Sequence, residues 1–264
     1  MNAYLRNIVC AVLILCMSVC LTAHAQTTAP QQVALNAHSS VDDILQALYQ
    51  RGQNLQDFTA DISKTDSDNV TAKDITYIGA LKYQRQAEGD VRIRVSFSHK
   101  KLGDNAMMAY RREGVLQKGK YIEQDYDTNK QTERLLAKPG EKINPVRLGE
   151  GPFPLPIGQD PQEVKKQFSV KLLPPDKDDP PHTIHTQLVP KEGTRLARRF
   201  STIDVWVDTQ THFTPRIQTV DVHGNQGSQT DLTNLKINSG LNDKDFQLPP
   251  PGAKWSVSTE NLEE

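Results

Sequence analysis

From Phe58 onward the apolar residues recur at every second position, a period that suits a half-buried strand and that a helix cannot use. Ile75, Tyr77, Leu81 and Tyr83 share one parity, with Gly79 among them. After a turn at Gln86-Ala-Glu-Gly89, Val91, Ile93, Val95 and Phe97 alternate with Arg92, Arg94 and Ser96. Two such runs about a glycine turn read as an antiparallel hairpin with one apolar and one charged face. Short runs of the same kind follow at 107–111, 119–126, 131–136, 184–190, 200–207, 215–222 and 230–236, with 255–257 as a candidate last strand. The turn signals between them include Lys191-Glu-Gly193, Asp208-Thr-Gln210 and His223-Gly-Asn-Gln-Gly227. Parallel strands need long, usually helical, crossovers, and none is evident. The expected fold is therefore mainly β with a few helices, built on an antiparallel curved sheet.

Two helices and a loop are available to cover its apolar face. Ser40-Val-Asp-Asp43 has the form of a capping box, and Val41, Ile44, Leu45 and Leu48 follow at helical spacing up to Gly52. Asp160 followed by Pro161 predicts a second helix running to about Phe168, with Val164 and Phe168 on its apolar edge. Before it, Gly149–Gly158 is a Pro/Gly loop carrying Phe153, Leu155 and Ile157. A curved sheet closed by such light elements leaves room for an acyl ligand. An ordinary filled core has the same periodicity. The candidate cavity residues are Ile75, Tyr77, Leu81, Tyr83, Ile93, Val95, Phe97, Phe153, Leu155 and Ile157.

Residues 1–25 have the pattern of a secretory signal peptide: Arg6, an apolar run from Ile8 to Leu21, then Ala23-His24-Ala25 for cleavage after Ala25. Cys10, Cys16 and Cys20 all fall inside it, so the exported chain has no disulfide, thiolate metal site or cysteine nucleophile. Lipid anchoring at Cys20 is the alternative, with Val19 a poor fit before it. Residues 26–39 read as a flexible lead-in, 40–257 as one domain and 258–264 as a loose tail. With a formal net charge of −1 the chain carries no basic field for nucleic acid.

No nucleophile elbow, zinc-protease helix, phosphate loop or dinucleotide fingerprint occurs, so neither an enzyme nor a cofactor is expected. His182 and His185 lie three apart beside Pro180-Pro181, where a strand would send them to opposite faces, and no metal site is expected. They read as solvated loop residues, and Asp176–Asp179 as a polar turn. Arg85 stands out, because it ends the apolar parity shared by Leu81 and Tyr83. An arginine there can stay solvated at a rim, or donate to backbone carbonyls across a cavity mouth and hold a lid shut.

Several segments, taken in order, resemble the LolA-like periplasmic lipoprotein carriers, from the first helix to Val257. They are Asn54-Leu-Gln-Asp-Phe58-Thr-Ala-Asp-Ile62, Gly79-Ala-Leu81-Lys-Tyr-Gln-Arg85, Leu188-Val-Pro190-Lys, and Asp245-Phe246-Gln-Leu248-Pro-Pro-Pro-Gly252. The resemblance implies an open half-barrel with helical lid elements over a hydrophobic cavity. It also implies a periplasmic carrier that binds acyl chains of lipoproteins or other lipids and moves them toward the outer membrane. An inner-membrane ABC transporter and an outer-membrane receptor would be its partners, and Arg85 its lid-locking residue. Gln86 departs from the proline that often follows that arginine, and the lid loop is unusually proline-rich. The alternative is a lipid- or lipoprotein-sensing regulatory protein of the same fold.

Overall fold

The computed structural model describes residues 34–86, 90–136 and 155–260. Helix α1 (Val41–Gln53) starts at the expected capping box: the Ser40 side chain accepts from the Asp43 N–H, and Asp43 reaches back to the Ser40 N–H. Its apolar stripe buries Ile44, Leu45 and Ala47. Packing of that stripe, rather than helix propensity, accounts for most of such a helix's stability. Gly52 lies inside the last turn instead of ending it, and Asn54 is the C-cap.

Strands β1 (Asp57–Asp68), β2 (Lys73–Arg85), β3 (Val91–Leu102), β4 (Met108–Gln117), β5 (Lys120–Asp125) and β6 (Lys130–Leu135) run up and down in sequence. Helix α2 (Pro161–Gln167) follows, capped by Asp160 with Pro161 in its first turn. Then come β7 (Phe168–Leu172), β8 (Thr183–Pro190), β9 (Phe200–Asp208), β10 (Arg216–Asp221), β11 (Gln226–Ile237) and β12 (Ser256–Glu260). All twelve form one open sheet in the order β12-β6-β5-β4-β3-β2-β1-β11-β10-β9-β8-β7. The curved sheet is not closed into a barrel.

Several expectations are corrected in detail. The sheet is antiparallel as expected except at one edge, where β12 joins β6 in parallel, Val257 opposite Gln131. That strand extends to Glu260, so 258–260 are paired rather than loose. Strand β7, directly after α2, escaped the sequence reading because its five residues alternate too briefly to show a period. The end of the lead-in is also ordered: Leu35 joins the core and Ser39 is buried. The signal peptide and the Gly89 turn lie outside the described residues.

The described part of the β6–β7 connection and the β11–β12 connection lie on opposite faces of the sheet. From β6 to β7 the chain passes from near one edge to the other, and 155–159 with α2 pack on the side that carries α1. This is the concave face, where odd-numbered residues of β2 and β3 meet the core. From β11 to β12 the chain crosses the other face as a strap. It begins where the buried Asp57 carboxylate accepts from the Ser239 N–H (2.6 Å), the Ser239 hydroxyl (2.9 Å) and the Gly240 N–H (3.2 Å). Gln84 then donates to the Leu241 carbonyl, Arg92 pairs with Asp243 (2.7 Å), and Lys82 with Asp245 (2.7 Å). Arg94 donates to the Asp245 and Gln247 carbonyls, and Gln124 to that of Pro249 (2.8 Å). Phe246 is 1% exposed, with the Arg92 guanidinium 4.6 Å from its ring centre. The charged face of the β2–β3 hairpin is thus largely covered by the strap. Burial would raise the Glu113 carboxyl on that face, but hydrogen bonds from Arg94 and Arg111 outweigh it and hold the group below the usual carboxylate range.

Candidate functional site

On the concave face, Phe58 and Tyr83 stack at 5.1 Å, and Phe213 meets Phe58 edge-on at 4.9 Å. Cross-strand register places Tyr83 opposite Ile93 and Leu81 opposite Val95, so the two strands present one apolar surface. Leu81, Tyr83, Ile93, Val95 and Phe97 are all buried there. Burial pushes the Tyr83 hydroxyl up to about 12, against the opposing charge of Arg85. Tyr77 and Ile75 continue the face toward the β1–β2 turn and are only half-buried. Tyr77 packs against Phe97 (5.4 Å) and Tyr110 (5.6 Å). Leu155 and Ile157 are buried in the core. Phe153 lies outside the described residues.

The lid over this face consists of α1, the 155–159 loop and α2. It fits closely: the gap beneath it has a volume of about 20 Å³. Ligand pockets for drug-sized molecules run about 300–1,000 Å³. The face beneath these elements is therefore filled, with room for about one water-sized group. Leu45, Leu48, Pro156, Gln159, Val164, Thr186, Leu188 and Val205 line the gap. None of them was among the sequence-derived cavity residues. Those came from β2, β3 and the lid loop, whereas the strand wall of the gap is β8 and β9. The apolar stripe of α1 was legible, but which strands it would cover depends on a strand order that periodicity does not contain.

Two contacts meet at the C-terminal end of α1. Arg85 Nη1 donates to the carbonyls of Gly52 (3.1 Å) and Gln53 (3.0 Å). Its backbone N–H donates to the Gln56 carbonyl (2.7 Å). Gly52 and Gln53 belong to the last turn, where a helix leaves acceptors unpaired and where its dipole favours a cation. On the other side, the 155–159 loop touches α1 backbone to backbone. A Cβ on Gly52 would lie 2.2 Å from Gly158 Cα, and Gly158 itself adopts φ +67°. The two glycines allow an approach that side chains would prevent. Asp42 of α1 and Lys165 of α2 also form an ion pair, at an exposed position where such pairs contribute little.

One of the two histidines differs from expectation. His182 is an exposed turn residue at φ +60°. His185 is no solvated loop residue. It sits on β8, stacked on Trp206 at 4.1 Å, with Nε2 2.9 Å from Asp204 Oδ1. The polar turn at 176–179 folds over this cluster, and its Asp179 carboxylate accepts from Trp206 Nε1. Among the described residues no group of three or more His, Cys, Asp or Glu is placed to hold a metal ion.

No protein-family model matches the chain, and no curated protein matches it. Solved structures do. A conserved protein from Thermus thermophilus aligns over 84% of this chain and 100% of its own, with TM-score 0.49 and 11% identity. MucB aligns over 80% of this chain and 63% of its own, with TM-score 0.46 and 12% identity. An outer membrane lipoprotein-sorting protein domain from Vibrio parahaemolyticus aligns over 77% of this chain and 94% of its own, with TM-score 0.38 and 10% identity. At these scores the likenesses carry no functional argument, which rests on the chain's own geometry.

Proposed function

We propose that this chain is an exported carrier that binds acyl chains of lipoproteins, or of other lipids, on its concave face and moves them toward the outer membrane. The observation that carries the reading is the pairing of an apolar, lidded face with a polar latch at the lid's edge. Arg85 is the latch: it ties β2 to the end of α1 and can let go without unmaking the sheet. Hydrogen bonds from a charged group contribute about 1.5–3 kcal/mol. Acyl burial gives about 0.8 kcal/mol per CH₂, so roughly two to four methylenes offset each of the latch's two hydrogen bonds. A chain of ordinary length thus opens the lid, and the latch helps to expel it when an acceptor is present. No covalent step is needed. Among the described residues no helix is long and apolar enough to cross a membrane. An inner-membrane transporter as donor and an outer-membrane receptor as acceptor complete the proposal.

Arg85→Leu tests it. Loss of the latch favours the open, loaded form, so release of a fluorescent lipopeptide to acceptor vesicles is expected to slow roughly tenfold or more. Arg85→Lys, with a single ammonium in place of the fork, is expected to fall between. Release at the wild-type rate from the leucine variant would return Arg85 to the role of a solvated rim residue.

A further inference from the structure

The strand wall of the gap under the lid is aliphatic except at one position. On β8, Ile184, Thr186 and Leu188 share the concave parity, and Thr186 lies opposite Val205 of β9 and Leu172 of β7. A valine would have the same shape as this threonine and would suit these neighbours. Thr186 is 2% exposed, it lines the gap, and its Oγ1 has no hydrogen-bond partner. Buried hydroxyls are nearly always paired, because an unmade bond leaves the full cost of removing the group from water. A hydroxyl kept at this cost in an apolar wall has a use there when something polar enters.

We propose that Thr186 is a specificity residue for the carbonyl of an acyl ester or amide, its hydroxyl donating to that oxygen once the lid has lifted. This deepens the carrier reading and rests on it. The gap of about 20 Å³ beside Thr186 has room for roughly one water-sized group, so the carbonyl fits beside the hydroxyl and the hydrocarbon displaces the lid on either side. Apolar contact makes every chain of a given length equivalent, whereas one buried donor favours a chain that brings a carbonyl over one whose linkage oxygen is a weaker acceptor, such as an ether. The ligand class is then an acylated molecule that enters as far as its linkage carbonyl.

The test compares two fluorescent probes of equal chain length, one an acyl amide and one a plain alkyl ether, on the wild type and on Thr186→Val. The wild type is expected to bind the amide about three- to tenfold more tightly than the ether. Thr186→Val is expected to remove that preference while binding the ether as well as the wild type or better. Thr186→Ser, which keeps the hydroxyl, is expected to retain the preference. Equal affinities in the wild type, or a ratio unchanged in Thr186→Val, overturns the assignment of Thr186 and leaves the carrier reading standing. A wild type that binds neither probe overturns both.

Discussion

Gly52→Ala is expected to raise affinity for an acyl probe up to about tenfold and to lower the thermal midpoint by several degrees. The cause is steric. The added methyl would sit 2.2 Å from Gly158 Cα and 2.3 Å from its nitrogen, and the obstacle is backbone, which cannot rotate away. Gly52 and Gly158 both belong to the lid, so its loop must back off from α1 and the closed arrangement loses a close internal contact. Forcing extra volume into a packed site costs about 1–3 kcal/mol, and that cost falls on the closed form alone. Each 1.4 kcal/mol taken from the closed form is a tenfold shift toward the form that accepts ligand, while the closed form dominates. Alanine at Gly227, where the nearest contact is an ordinary 3.8 Å, is the control expected to change neither quantity. Isothermal titration with the probe and a melting curve suffice. A lower melting point with unchanged or weaker binding would mark general damage rather than lid opening.

The second large effect concerns the opposite face. Phe246→Ala is expected to cost about 3–5 kcal/mol of unfolding free energy, seen as a lower denaturant midpoint at unchanged slope. Phe246 is the apolar anchor of the strap. Its ring is buried, the Arg92 guanidinium lies over it, and Lys82, Arg92 and Arg94 hold the segment around it. With the ring gone, these charges lose the cover that organises them. Val257→Ala, in the exposed part of β12, is the comparison expected to stay within about 0.5 kcal/mol.

The sequence carried much of this and left out what depends on long-range order. Period-two alternation located most strands, and the capping residues Ser40 and Asp160 located both helices, because these signals are local. Arg85 could be singled out by parity alone, yet only the fold brings it to Gly52 and Gln53, 33 and 32 residues away. Gly52 read as a helix stop because glycine ends helices more often than it serves close backbone contact. Its partner Gly158 was visible only as part of a Pro/Gly loop. The even-numbered parity of β2 and β3 read simply as a charged face. No periodicity shows that 239–255 will return across it, since that strap is held by single contacts at irregular spacing. Thr186 was hidden for a similar reason: one threonine in a strand is ordinary until its neighbours prove to be aliphatic and its hydroxyl unpartnered.

The central claim is that an acyl chain occupies the concave face beneath the lid. Photo-cross-linking tests it most directly: a lipopeptide with a photoreactive group midway along its acyl chain is offered to the wild type, and the attachment sites are mapped by mass spectrometry. The account predicts labelling of the lid and the wall it covers, at Leu45, Leu48, Leu188 and Val205, suppressed by an excess of unlabelled lipopeptide. Labelling confined to the strap side, around Phe246 and Val257, or no saturable labelling at all, would contradict it.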